Sequence, residues 1–102
     1  MKIHLMIFIS SVKDQIEKNI HRSMIKTFES TIRPVKGDII DDPGFHNGYE
    51  VVKVTINYAS NECYVSLQPL LLEIEEIKIE TYLKKLEENG WHVISKEELK
   101  KI

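Results

Sequence analysis

The chain has 102 residues, of which 42% are hydrophobic and 29% are charged, and its net charge is −2. This length predicts a single domain over residues 1–102, and the composition is that of a globular rather than a disordered protein. No stretch reaches the ~18 apolar residues of a membrane-spanning helix. The lone Cys63 excludes an internal disulfide, which is typical of a reducing, cytoplasmic setting.

The first element in chain order is predicted to be a strand over residues 2–10. Its odd positions carry four Ile or Leu side chains, and its even positions after His4 are also apolar. A strand that is apolar on both faces is expected to be covered on both, by a helix or by a partner chain. The apolar run is too short, and too interrupted by His4, for a signal peptide. Residues 11–22 then predict a short helix with Ser11 as its N-cap, and residues 23–31 a second strand.

The clearest pattern lies in residues 49–69, which predict an antiparallel hairpin. If Ser60 and Asn61 form a two-residue turn, Tyr58 faces Cys63 and Val54 faces Leu67 on one apolar face. The other face is polar and is a candidate binding surface. Its residues are Lys53, Thr55, Asn57, Tyr64, Ser66 and Gln68.

The C-terminal part of the chain predicts a helix over about residues 77–89. Ile79, Tyr82, Leu83 and Leu86 fall on one helical face. Gly90 stands where a left-handed residue ends a helix, with Trp91 placed to pack on Leu86. Residues 91–94 predict a short extended segment, and Ser95 with Glu98 forms a capping box for a last helical turn.

A further resemblance lies in the turn-rich stretch that follows Pro34. The Lys-Gly-Asp-Ile-Ile run at residues 36–40 resembles the diverging turn of SH3-like small barrels. Similar P-x-x-G-D-x-I stretches occur in small bacterial and phage proteins. The resemblance covers roughly residues 32–68 and implies a barrel-like sheet, without the aromatic residues that bind peptides in eukaryotic SH3 domains. We therefore predict an α+β fold: a small bent antiparallel sheet or SH3-like barrel over about residues 1–75, and a helical C-terminal segment over about residues 76–102.

The same turn-rich stretch holds the candidates for a metal site. Asp41, Asp42 and His46 are the best cluster, with Asp38 or Glu50 as a fourth ligand. The competing interpretation is turn formation, because Asp side chains bond neighbouring backbone N–H groups in turns. We favour turn formation, so no metal, cofactor or enzymatic activity is predicted. The four glycines also fit no phosphate-binding motif.

Three hypotheses about function follow from these patterns. The leading one is a non-enzymatic protein-binding or assembly module in a bacterial or phage cytoplasm, which pairs with another protein or with itself through the first strand and residues 67–77. The second is a nucleic-acid-binding module that uses the Lys53 and Tyr64 face and the basic N-terminal third, where seven Lys or Arg stand against four Asp or Glu in residues 1–40. The third is a metal-dependent hydrolase at Asp41, Asp42 and His46. No membrane association is predicted.

Overall fold

The computed structural model describes residues 1–11, 21–45, 47–72 and 79–95. These residues form seven strands and one helix, so the fold is a small, sheet-dominated α+β fold. In chain order the elements are β1 (Lys2–Ser11), β2 (His21–Glu29), β3 (Ile39–Ile40), β4 (Tyr49–Asn57), β5 (Glu62–Leu67), β6 (Leu70–Leu72), α1 (Ile79–Glu88) and β7 (His92–Val93).

The sheet is mixed, whereas an antiparallel sheet was predicted. Its strands are ordered β3-β4-β5-β1-β2-β7, and β6 continues along the same edge of β1 as β5. β1 is antiparallel to β2 but parallel to β5 and β6. The parallel pair brings Ile3 opposite Cys63, and local alternation contains no information about a partner so far along the chain. β1 pairs with β2 along one edge and with β5 and β6 along the other. The predicted role of the first strand in pairing with a partner stays a prediction.

The β4–β5 hairpin is observed, but its register differs by two residues from the predicted one. Ile56 lies opposite Cys63, and Val54 lies opposite Val65 rather than Leu67. The loop has four residues instead of two, because Asn61 adopts a positive φ of 55° and Asn57 Oδ1 accepts a hydrogen bond from the Ser60 N–H. A shift of two residues keeps the side chains of the paired residues on their predicted faces of the sheet.

Tyr58 is placed differently from its prediction. It lies in the loop with 83% of its surface exposed and does not face Cys63. A bulge at the other end of β4 adds one residue, Val52, between the pairs formed by Val51 and Lys53. The extra residue changes the alternation, so Val51 is buried and Val54 is half-buried toward the same core.

Helix α1 packs on the core face of the sheet through Tyr82 and Leu86. Its end has the two hydrogen bonds of a Schellman motif, from Gly90 N–H to Glu87 O and from Trp91 N–H to Leu86 O. Gly90 has a φ of +91°, a conformation that glycine adopts without steric cost. The motif buries Trp91, which contacts Phe45 in the core.

Three predicted features extend beyond the described residues. Ser11, at the predicted N-cap of a helix over residues 11–22, is the last residue of β1, and residues 21 and 22 begin β2. The rest of that predicted helix lies outside the described residues, as do Glu98 of the predicted capping box and residues 73–77 of the predicted pairing segment.

Candidate binding face

The polar side of the hairpin is part of a larger surface, which we call the outer face. It lies opposite the core face and spans β4, β5, β1 and β2. Five of the six residues predicted for this surface are brought together on it by the hairpin register. Gln68 lies just beyond β5, and its side-chain oxygen accepts a hydrogen bond from the Glu50 N–H at 2.9 Å. The strands add His4, Thr27 and Glu62 to the outer face.

His4 is the centre of a hydrogen-bonded cluster on the outer face. Its Nδ1 lies 2.7 Å from Thr27 Oγ1, and its Nε2 lies 2.6 Å from Glu62 Oε1. The imidazole stacks on the Tyr64 ring, with 4.5 Å between ring centroids and 12° between planes. Because a carboxylate only accepts hydrogen bonds, Nε2 carries a proton, and in the neutral ring Thr27 donates to Nδ1. The cluster therefore fixes the orientation of both rings.

The His4 cluster is assembled by tertiary structure, and it was not predicted. Residues 4 and 62 are separated by 58 positions in the chain. The sequence placed Tyr64 on the correct face and gave His4 only a structural interpretation. The one available signal was the even position of His4 in β1. Side chains at even positions point to the face of the sheet away from the four core Ile and Leu residues, which stand at odd positions. Nothing local indicated that β1 would lie beside β5.

Hydrogen bonds hold the Glu62 side chain in its anionic form. The bond from the Ser60 side chain and then the bond from His4 lower the pKa of the Glu62 carboxyl below its ordinary value. Burial first, and then the neighbouring Glu62 carboxylate, raise the pKa of Tyr64. At neutral pH the outer face therefore has a negative charge at Glu62 and a positive charge at Lys53, with a neutral Tyr64 between β4 and β1.

Below about pH 4, we expect replacement of Glu62 by glutamine to have a smaller effect on stability than at neutral pH. The folded pKa of Glu62 lies below the unfolded value of about 4.3, so the carboxylate stabilises the fold above that value and loses this effect as the pH falls through the folded pKa. Urea unfolding of the wild type and Glu62→Gln over a pH series measures the difference. Glu50→Gln, at an exposed position of β4, is the control. A difference in the free energy of unfolding between the wild type and Glu62→Gln that stays the same at every pH would contradict this prediction.

The order of groups in the cluster, hydroxyl, imidazole and carboxylate, is that of a nucleophilic triad. The surroundings do not support such chemistry. β1 is paired on both sides, so its backbone N–H groups are used in the sheet and are not free to stabilise an oxyanion. Cys63 points into the core, where burial raises the pKa of its thiol. The contacts within the cluster hold the side chains of His4 and Tyr64 in a fixed geometry.

Asp42, one of the predicted metal ligands, has both of its carboxylate oxygens bonded to other groups of the protein. Asp42 is buried, and Lys26 Nζ donates to its Oδ1 at 2.6 Å. Its Oδ2 accepts from the Gly44 N–H at 2.8 Å and from Trp91 Nε1 at 3.0 Å. Both oxygens are thus used in structural bonds. Burial works to raise the pKa of Asp42, but these hydrogen bonds outweigh it and hold the pKa below its ordinary value.

The other acidic residues of the turn also bond backbone groups. Asp41 Oδ1 accepts from the Asp42 N–H, and Asp38 Oδ2 accepts from the Val35 N–H, both at 2.9 Å. His46 lies outside the described residues. Within the described ranges, no group of three or more His, Cys, Asp or Glu side chains is arranged to hold a metal ion. The turn interpretation accounts for Asp38, Asp41 and Asp42.

A hydrogen bond just before the first residue of β5 shows toward which neighbouring strand each residue of β5 directs its backbone groups. The Lys2 N–H donates to the Asn61 carbonyl at 3.0 Å, toward β1. Successive residues of a strand direct their backbone groups to opposite edges, so Cys63 and Val65 also bond toward β1. The residues between them bond toward β4. These are Glu62, Tyr64 and Ser66.

The same alternation leaves an open edge on β4. Lys53, Thr55 and Asn57 lie opposite the β5 residues that bond toward β4, so their backbone groups are used within the sheet. The N–H and C=O groups of Val54 and Ile56 therefore point away from β5. Within the part of the chain that the structure describes, β3 pairs only with the first two residues of β4, and no strand pairs with residues 53–57 on that side. We call residues 53–57 the β4 edge.

Comparison with known proteins gives no relative for this chain. No family model matches it, and no curated protein and no solved structure is similar enough to count as a match. The resemblance of residues 32–68 to SH3-like barrels therefore stays a prediction. Of the helical residues that the structure describes, none belong to a segment with the length and apolar character needed to cross a bilayer.

Proposed function

We propose that this protein is a non-enzymatic protein-binding and assembly module that adds an extended segment of a partner to its sheet at the β4 edge. The observation that carries the proposal is the backbone of Val54 and Ile56, which points away from β5 and with which no strand pairs among the residues that the structure describes. Such an edge is a template for strand addition, in which main-chain hydrogen bonds supply affinity.

The side chains at the β4 edge specify the chemistry of the partner. Val54 and Ile56 face the core but are only half-buried, whereas Cys63 and Val65 opposite them have no exposed surface. An added strand with apolar residues at alternate positions would cover this apolar margin. On the outer face, Lys53, Thr55 and Asn57 are exposed and favour polar partners. The expected ligand is therefore an extended segment with alternating apolar and polar residues.

The nucleic-acid hypothesis has less support from the outer face. Tyr64 is half-buried, and its ring is already stacked on His4. Glu62 beside it is held in the anionic form, which repels phosphate groups. One aromatic ring next to a carboxylate is a poor platform for stacking bases. Nucleic-acid binding stays a prediction, and it requires an affinity that falls steeply with added salt.

Selection from a phage-displayed library of random nine-residue peptides tests the proposal, with the full chain as bait. We expect the enriched peptides to alternate apolar and polar residues, because their side chains then match the two faces of β4. Hydrogen exchange measured by NMR gives the position of binding. The amides of Val54 and Ile56 are expected to become protected when such a peptide binds.

A second measurement separates edge binding from binding elsewhere. Val54→Pro removes an N–H that is directed away from β5, so it should abolish peptide binding without breaking a bond of the hairpin. The amides of Cys63 and Val65, which bond toward β1, serve as internal references because their protection should not change. Enriched peptides that leave the Val54 and Ile56 amides exchanging at their free rate would contradict the proposal, whatever the fold of the proline variant.

A further inference from the structure

We propose that the segment added at the β4 edge is the β4 edge of a second copy of this chain, paired antiparallel about a two-fold axis at Thr55. This inference rests on the proposed function and adds the identity of the partner. An edge that meets its own copy around a two-fold axis gives a closed dimer, since each copy uses the same patch. The two sheets would then form one continuous sheet.

The backbone groups at the β4 edge fit this axis. With Thr55 opposite Thr55 of the second copy, Val54 lies opposite Ile56 of that copy. Both residues direct their N–H and C=O groups outward, so each of the two Val54–Ile56 pairs is a doubly hydrogen-bonded pair. An axis at Val54 would place Val54 opposite itself and Ile56 opposite position 52, which lies outside the β4 edge. An axis at Ile56 would place Ile56 opposite itself and Val54 opposite position 58, which also lies outside it. Only the axis at Thr55 pairs all the outward groups of both residues with one another.

The side chains favour the same axis. On the core side, Val54 meets Ile56, so two half-buried apolar side chains cover each other across the interface. On the outer face, Thr55 meets Thr55 and Lys53 meets Asn57, and no two like charges are opposed. An axis at Lys53 would place two lysines opposite each other, and an axis between residues would mix apolar with polar side chains.

The residues that flank the β4 edge also become neighbours across this axis. Val52 is 40% exposed at the bulge, and Tyr58 is 83% exposed in the hairpin loop. The pairing brings Val52 of one copy beside Tyr58 of the other. Two exposed apolar side chains, which the monomer leaves in water, are thereby placed together at each end of the interface.

Site-specific cross-linking tests the register of this dimer. In Thr55→Cys, the two new cysteines would form a non-hydrogen-bonded pair with Cα atoms about 4.5 Å apart, which a disulfide can bridge. In the matched variant Asn57→Cys, each cysteine would lie opposite Lys53, and the two cysteines would be about 13 Å apart along the strands, beyond the reach of a disulfide. Mild oxidation is therefore expected to give a covalent dimer of Thr55→Cys alone. The wild type controls for Cys63, which is buried.

Light scattering coupled to size exclusion tests the interface independently. We expect the wild type to dimerise with increasing concentration, and Thr55→Lys to weaken dimerisation at least tenfold, because it opposes two lysines at the axis. Thr31→Lys, the same substitution at an exposed position outside the strands, should dimerise like the wild type. A wild type that stays monomeric at high concentration, or equal cross-linking at positions 55 and 57, overturns the proposal. If selected peptides still protect the Val54 and Ile56 amides, the proposed function stands and only the identity of the partner is wrong.

Discussion

Replacement of Asp42 by alanine is expected to lower the free energy of unfolding by about 3 kcal/mol. The carboxylate is buried and accepts hydrogen bonds from Lys26, Gly44 and Trp91. Its removal leaves a half-buried ammonium group and a buried indole N–H without an acceptor, and breaking a fully buried charged pair in this way costs about 3–5 kcal/mol. We use the lower figure because the Lys26 side chain is partly exposed. Urea unfolding at neutral pH and fixed protein concentration measures the change.

The neighbouring residue provides a matched control. Asp41→Ala removes a side chain that is exposed and has one hydrogen bond, to the Asp42 N–H, so its effect should be about 1 kcal/mol or less. Asp42→Asn should fall between the two alanine variants, because its oxygen can still accept from Trp91 but its amide group donates toward Lys26. Equal effects of Asp41→Ala and Asp42→Ala would show that the buried hydrogen bonds do not stabilise the fold.

The effect of Asp42 is expected to depend on pH in one direction. Its folded pKa lies below its unfolded value of about 3.9, so the folded state binds fewer protons in this range. The stabilisation is fully present above the unfolded pKa and is lost as the pH falls through the folded pKa. The difference in stability between the wild type and Asp42→Asn should therefore shrink on acidification below about pH 4. Glu62 titrates in the same direction, so the comparison is repeated in the Glu62→Gln background.

Replacement of Leu86 by alanine is the second change with a large expected effect, a loss of about 3 kcal/mol in the free energy of unfolding. Leu86 has no exposed surface, and its carbonyl accepts the Trp91 N–H that closes α1. Leu→Ala substitutions at fully buried sites cost about 2–5 kcal/mol, from lost apolar burial and the cavity that remains. For a chain of this size the thermal midpoint should fall by roughly 15 °C.

The same helix offers the control for Leu86. Leu83 is half-buried at the margin of the core. Leu83→Ala removes the same atoms from the same helix as Leu86→Ala does, but it should lower the free energy of unfolding by only about 1 kcal/mol. The two variants share their change in helix propensity, and the difference between them isolates packing. A cost for Leu83→Ala that equals or exceeds that of Leu86→Ala would mean that α1 packs on the sheet through a different face.

The β4 edge and the outer face meet at Lys53, Thr55 and Asn57. These three side chains point to the outer face, while the backbone between them supplies the open edge. A partner strand added at the edge would extend the outer face from β4 outward. The His4 cluster, fixed by Thr27 and Glu62, would then lie next to a wider polar surface than the monomer has.

Local features of this protein could be predicted from neighbouring residues in its sequence. Alternation sorted β4 and β5 into an apolar and a polar face, and the faces survived a two-residue error in register because the period of a strand is two. The Gly-Trp signal at residues 90 and 91 indicated the Schellman motif, whose hydrogen bonds span only six residues. The aspartates of the turn were interpreted through bonds to neighbouring backbone groups.

Tertiary structure alone decided which distant strands and side chains meet. The parallel pairing of β1 with β5 placed His4 beside Glu62 and Tyr64, although 58 positions separate residues 4 and 62. The packing of Trp91 brought its indole to Asp42, 49 positions away. Side-chain periodicity records which face of a strand is buried, but the choice of neighbour depends on the packing of the whole chain. For the same reason, the open edge of β4 became visible only when the order of the strands was known.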